Sequence, residues 1–215
     1  MIRPLLALVA AYLIGGIPFG YLVVKWKTGA DVRASGSGNI GATNVLRTTG
    51  RAAGVATLLL DIAKGAFAVW LMDKLSGGSI HWMSAAALAV MAGHAFPIFL
   101  HFHGGKAVAT FIGAYLYLAP VPLLAVLVVW LAGVAYSRYV SLGSILAAGT
   151  FPLAVWLLMQ PPLSLVGAAT VSAAFIIYRH RANIARIRAG TEHMLSLGIR
   201  KSRQATGSDW RMRRS

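Results

Sequence analysis

The sequence predicts an all-α protein, a polytopic membrane bundle of about seven transmembrane helices with its N-terminus outside and its C-terminus in the cytoplasm. Composition points there first: hydrophobic residues fill 58% of the 215 positions and charged residues only 12%. Mean hydropathy is +0.70, and a soluble domain is roughly 45–50% apolar. The second observation is spacing, because the apolar residues gather into stretches near the ~20 residues that cross a hydrocarbon core. The third is the placement of the cations, which fall between those stretches and mostly on alternate sides.

Taken in order, the stretches are 4–24, 53–72, 82–100, 107–119, 121–136, 143–160 and 163–179. The first has the length of a signal peptide, but Lys25, Lys27, Arg33, Arg47 and Arg51 follow it and only Arg3 precedes it. That bias keeps it as a helix with an outside N-terminus. Residues 73–81 and 160–162 then fall outside with a single lysine, Lys74, whereas the 101–106 turn, Arg138 and the tail fall inside. The fourth and fifth stretches are short and separated only by Pro120, Val121 and Pro122; a broken or re-entrant hairpin there changes the helix count but not the sidedness. Ten of the 20 Lys and Arg lie at or after Arg179. Residues 1–215 therefore read as a single integral-membrane domain, of which 180–215 is a basic cytoplasmic tail resting on anionic lipid.

Several chemistries drop out. No cysteine is present, so thiolate metal sites and cysteine nucleophiles are excluded. The five acids, Asp31, Asp61, Asp73, Glu192 and Asp209, are scattered, which argues against a carboxylate-held metal or a paired-carboxylate hydrolase. The net charge of +15 belongs to topology and lipid rather than to nucleic acid, whose fold recipes are missing. No metal, no cofactor and no obligate protein partner is expected.

The polar interruptions all flank the expected cytoplasmic edge. Gly36-Ser37-Gly38-Asn39-Ile40-Gly41-Ala42-Thr43-Asn44, with Arg47, has the glycine spacing of a dinucleotide fingerprint, and Asp61 lies twenty residues beyond Gly41. No strand precedes it and Asp61 sits mid-span, so the nucleotide fold is rejected. What remains is the anion-binding physics of such loops: Gly36 and Gly38 permit close backbone approach, Ser37, Asn39, Thr43 and Asn44 add donors, and Arg47 offers a fork. A helix starting near Thr43 aims its positive end at the same place. A flexible turn accounts for the same glycines. Gly104-Gly105-Lys106 repeats the pattern, again with a topology-marking turn as the plainer alternative. His101 and His103 are placed poorly for joint metal ligation. Ser144 and the pair His180 and Asn183, three apart and on one helical face, complete the polar set. Arg179 and Arg181 are expected to meet headgroups. Glu192 reads as a structural ion-pair partner, and Asp61 with Lys64 as a mutually neutralising intramembrane pair.

At GSGNIGATNVLR (36–47), GHAFPIFLHFHGGKAVAT (93–110), SLGSI (141–145) and HRANIARIRAGTE (180–192) the chain resembles the bacterial acyl-phosphate:glycerol-3-phosphate acyltransferases. The resemblance covers essentially the whole chain, and the Asp61-Ile-Ala-Lys64-Gly65 run shares it. His103 stands where that family commonly has lysine, Ala107 where it has glycine, and Ala182 where an acid is common. The resemblance implies transfer of a fatty acyl group from acyl phosphate to the 1-hydroxyl of glycerol 3-phosphate, giving lysophosphatidic acid and phosphate. It implies an inner-membrane location with a cytoplasmic-facing site and independence of coenzyme A and acyl carrier protein. Ser37, Arg47, Lys106, His180 and Asn183 are the expected catalytic group. Arg47 and Lys106 orient phosphates, Gly36, Gly38, Asn39, Thr43, Asn44, Gly104, Gly105 and Ser144 bind substrate, and either His180 or the departing phosphate takes the hydroxyl proton. A membrane transporter of phosphorylated metabolites is the alternative; it would need polar groups deep in several spans.

Overall fold

The computed structural model describes residues 2–195; the rest of the expected tail, with Asp209, lies outside the described residues. The described chain contains helices and turns without strands. Helices α1 (Ile2–Gly16) and α2 (Phe19–Thr28) form one broken span, followed by the short surface helix α3 (Ala42–Thr49). Next come α4 (Arg51–Ser76), α5 (Ile80–Ala95), α6 (Val108–Leu118), α7 (Pro120–Ser137), α8 (Val140–Met159) and α9 (Leu163–Arg179). A final helix, α10 (Arg181–Arg188), departs from α9 at 53°.

Each of the seven expected apolar stretches has a helical counterpart. Five segments are long and apolar enough by themselves to cross a bilayer, and α9 with α10 counts as a sixth if the bent pair is taken as one span. The seventh apolar stretch is α6, with only 11 residues. At 1.5 Å per residue it reaches about 16 Å, roughly half of a hydrocarbon core. Residues 96–107, which precede it, form an irregular segment that is exposed at His101, Phe102 and His103 and buried at Gly105 and Ala107.

Two features fix the frame. Helices α4 and α6 cross at glycines: a Cβ on Gly65 would run into the Thr110 backbone, and one on Gly113 into that of Ile62. Small residues at such a crossing let backbones touch where lipid supplies no hydrophobic drive. Phe111, Tyr115 and Phe151 then interlock with ring centroids 4.7–4.8 Å apart, and the Tyr115 hydroxyl meets Ser172 Oγ at 3.0 Å. The second feature is the break at Ile17–Pro18. Proline has no N–H for the Ile14 carbonyl one turn back, which accepts from Ile17 N instead, and Lys64 from α4 donates to Ile17 O, beside the break, at 2.8 Å. Lys64 also pairs with Asp61 at 2.9 Å in the buried interior.

Candidate active site

At one end of the bundle four segments converge. The loop before α3 is folded around one side chain. The Asn44 amide oxygen accepts from Ser37 N at 2.9 Å, while its nitrogen donates to the carbonyls of Asn39 at 2.9 Å and Ser35 at 3.1 Å. Gly36 passes directly over that amide with φ +62° and has no room for a Cβ. Asn39 closes its own turn onto Gly41 N at 2.8 Å. The Gly41 N-cap of α3 brings no side-chain cap; Asn44 N turns back onto Gly41 O at 3.0 Å, which leaves the amides of Ala42 and Thr43 as the orphan donors of the first turn. Thr43 and Arg47, four apart on the exposed side of α3, share one face.

The second loop is gripped from two sides. Gly104 N donates to Ala95 O and Gly105 N to His94 O, each at 3.1 Å, which satisfies carbonyls at the end of α5. Arg179 covers the loop: its guanidinium donates to Gly104 O at 3.1 Å and to Gly105 O at 2.9 and 3.1 Å, and it lies 5.1 Å over the Phe96 ring. Lys106 emerges from this clamp and donates to Asn183 Oδ1 at 2.6 Å.

From Asn183 a polar chain runs onward. Its nitrogen donates to Glu192 Oε1 at 2.6 Å, Ser141 Oγ donates to the same oxygen at 2.8 Å, and Arg186 Nε donates to Glu192 Oε2 at 2.7 Å. Burial acts to raise the Glu192 pKa, but these three hydrogen bonds outweigh it and hold the carboxyl below its usual value. Burial pushes Lys106 down to about 8; Glu192 opposes the shift, and Arg186, Arg179 and Arg47 add to it. His180, the first residue after α9, is pushed down to about 4 by burial and then by Lys106. Its Nδ1 lies 2.8 Å from Ile176 O, so Nδ1 carries the proton and Nε2 keeps a lone pair.

The result is a cationic cavity of about 210 Å³ lined by Ser37, Asn39, Lys106, Asn183, Arg186 and Ala182, with Arg179 and Arg181 at its wall. Among the described residues no three His or carboxylate side chains are grouped to hold a metal. The arrangement suits a small dianion with hydroxyl groups.

Residues 5–190 match the family model described as glycerol-3-phosphate acyltransferase. The chain belongs to the glycerol-3-phosphate acyltransferase family. It is 48% identical over 191 residues to the glycerol-3-phosphate acyltransferase of Desulforamulus reducens, covering 89% of this chain and 94% of that one. Identity to the Geobacter sulfurreducens protein of the same name is 47% over 193 residues, with 90% and 98% covered. Two crystal structures of PlsY, an integral membrane glycerol 3-phosphate acyltransferase, superpose on it. The glycerol 3-phosphate form has a TM-score of 0.84 at 40% identity, covering 90% of this chain and 96% of that one; the lysophosphatidic acid form has 0.82 at 38%, covering 90% and 95%.

Within this acyltransferase the structure joins Ser37, Asn39, Lys106 and Asn183 in one cavity; buried His180 and exposed Arg47 are outside that lining, Arg47 helping to lower the Lys106 pKa and Lys106 that of His180. It reassigns others. Asn44 is buried and its amide is consumed by the loop, so it holds the loop's shape rather than presenting a donor. Gly104 and Gly105 have both amides and both carbonyls engaged, and Lys106 alone of the three lines the cavity. Ser144 donates to Val140 O at 2.9 Å and accepts from Trp130 Nε1 at 3.3 Å, apart from the cavity lining. Asn183 serves Lys106 and Glu192, whereas the Ile176 carbonyl orients His180. Arg179 turns inward to the loop instead of outward to headgroups.

Three contributors escaped the sequence reading: Arg179, Arg186 and Ser141. Only the excess of cations around His180 hinted at the first two. Of the family departures, Ala182 lines the cavity, His103 turns its Nδ1 to His101 O at 2.6 Å, and buried Ala107 takes φ +63°.

Proposed function

We propose that the chain transfers a fatty acyl group from acyl phosphate to the 1-hydroxyl of sn-glycerol 3-phosphate, releasing lysophosphatidic acid and orthophosphate. The reaction uses neither coenzyme A nor acyl carrier protein and takes place at the cytoplasmic face of the bacterial inner membrane, as the first step of phospholipid synthesis. The observation that carries this reading is the Lys106–Asn183 contact. It draws residues 77 positions apart into one cationic cavity beside Ser37, where two phosphate-bearing substrates can meet at the membrane edge. The sidedness follows the cation bias, because this end bears Lys25, Lys27, Arg33, Arg47 and Arg51 together with Arg179 to Arg188.

An acyl phosphate is a mixed anhydride and is already activated. The glycerol oxygen attacks the acyl carbonyl carbon, the bond from that carbon to the phosphate oxygen breaks, and its electron pair leaves with phosphate. No covalent enzyme intermediate is required, which matches the absence of cysteine. Arg47, Lys106 and the first-turn amides of α3 orient both phosphates and stabilise charge as it moves to the leaving group. Ser37 hydrogen-bonds a substrate oxygen. The hydroxyl proton goes either to the departing phosphate or to Nε2 of His180, whose Nδ1 is held by the Ile176 carbonyl.

The test is purified protein with palmitoyl phosphate and labelled glycerol 3-phosphate, without coenzyme A, carrier protein or metal. Equal release of phosphate and labelled lysophosphatidate is expected. Labelled acyl-protein isolated during turnover would replace direct transfer with a Ser37 acyl-enzyme. Flux of glycerol 3-phosphate across liposomes without acyl chemistry would instead establish a transporter.

A further inference from the structure

The Gly104–Gly105 loop rests on a floor that the reaction itself does not use. His94, at the end of α5, is 4% exposed, and its Nδ1 lies 3.6 Å from Asp61 Oδ1. Asp61 is 2% exposed and pairs with Lys64 at 2.9 Å. The Lys64 contact is made to this same oxygen, Asp61 Oδ1, while His94 Nδ1 has no hydrogen-bond partner and is a buried polar atom whose neighbouring acid is Asp61. The far edge of the same imidazole lies against Gly105. A Cβ on Gly105 would land on His94 Nε2, Cδ2 and Cε1, and one on Gly104 would land on His94 O. A continuous path therefore runs from Lys64 through Asp61 and the His94 ring to the backbone that launches Lys106.

We propose that His94, oriented by Asp61, is a positioning residue for Lys106: the imidazole sets the height of the Gly104–Gly105 backbone, which Arg179 presses down from above. This rests on the reading of Lys106 as a substrate-phosphate ligand. Neither glycine needs to be flexible for this purpose; each is required because the ring and the α5 terminus leave no space. Displacement of about 1 Å at such a site costs roughly 10²-fold in rate, and the clamp restricts that displacement.

A double-mutant cycle tests the contact directly. Gly105→Ala alone is expected to lower kcat for lysophosphatidate formation about tenfold or more, because its methyl meets the ring and lifts the loop. In a His94→Ala background the vacated ring space accepts the methyl, so the same change should add less than about threefold, a non-additivity reserved for contacting residues. Additive penalties would overturn the proposal.

The pH profile gives a second readout that simple loss of folded protein does not move. Lys106 is faced by Asn183 and Glu192, by His180, and by the cations Arg47, Arg179 and Arg186. If His94→Ala or Asp61→Asn loosens the loop, Lys106 gains water and the alkaline fall of kcat/KM moves to higher pH. A profile merely scaled down, with its limb unmoved, would leave His94 as a packing residue and overturn the inference. The underlying reading fails separately: full kcat/KM in Lys106→Ala would remove Lys106 from substrate binding whatever the cycle shows.

Discussion

The two glycine-bearing loops look alike in sequence and are built in opposite ways. The first, residues 36–44, is exposed and shaped from within, by a single asparagine amide that ties three of its backbone groups together. Its glycine at 36 supplies a left-handed turn over that amide. The second, residues 104–106, is shaped from outside, between the end of α5 and Arg179. Its glycines supply thinness. The difference teaches that a Gly-rich phosphate-like motif need not present its amides to a ligand: in the second loop every Gly amide is already satisfied, and the proposed binding falls to the cation.

The largest expected effect tests that division. Lys106→Ala should lower kcat/KM for glycerol 3-phosphate by about 10³-fold or more, because it removes both the charge and the link to Asn183, and Arg47→Ala by roughly 10²-fold. Steady-state assay of lysophosphatidate formation reads both; a smaller loss for Lys106 than for Arg47 would break the comparison. His180→Gln retaining more than about a hundredth of kcat would give the proton to the departing phosphate, whereas a loss of about 10³ or beyond would give it to His180.

Next comes pH. A group held near 8 is charged below that value and loses its charge above it, so kcat/KM for glycerol 3-phosphate should fall as pH rises through about 8. Lys106→Arg should flatten that fall, since guanidinium stays protonated. Asn44→Ala sharpens the contrast in stability: it strips the first loop of its organiser and leaves buried partners unmet, costing about 1–3 kcal/mol in thermal unfolding in detergent. The smallest effect belongs to Ala107. Its left-handed φ disfavours a Cβ, so Ala107→Gly should stabilise the protein by about 1 kcal/mol or less in the same measurement.

Much of the fold was legible because apolar run length is a direct consequence of bilayer thickness; α4, α7, α8 and α9 lie within a few residues of their expected limits. The break at Ile17–Pro18 was less visible, since proline in a membrane helix shows its effect only once a partner such as Lys64 reaches the backbone at the break. The shortness of α6 was visible, since the expected 107–119 stretch matches Val108–Leu118 to a residue at each end; what run length did not show is that 96–100 leave the α-helix that ends at Ala95. In the site, residue types were readable and hydrogen-bond partners were not. Asn44 and Asn183 are both donors and acceptors, and which neighbour each one serves is settled by packing between segments far apart in sequence. Arg179 looked like a headgroup cation because its acceptors, the Gly104 and Gly105 carbonyls, lie about 75 residues upstream.

The chain from Lys106 through Asn183 to Glu192 also dictates a schedule. A ribosome that has delivered the first eight helices has made most of the membrane-embedded mass and both glycine-bearing loops, yet Lys106 still lacks the amide that receives it. That amide and its carboxylate arrive only with the last described residues. A chain cut before Asn183 would thus hold every long apolar helix and both loops without the amide that receives Lys106.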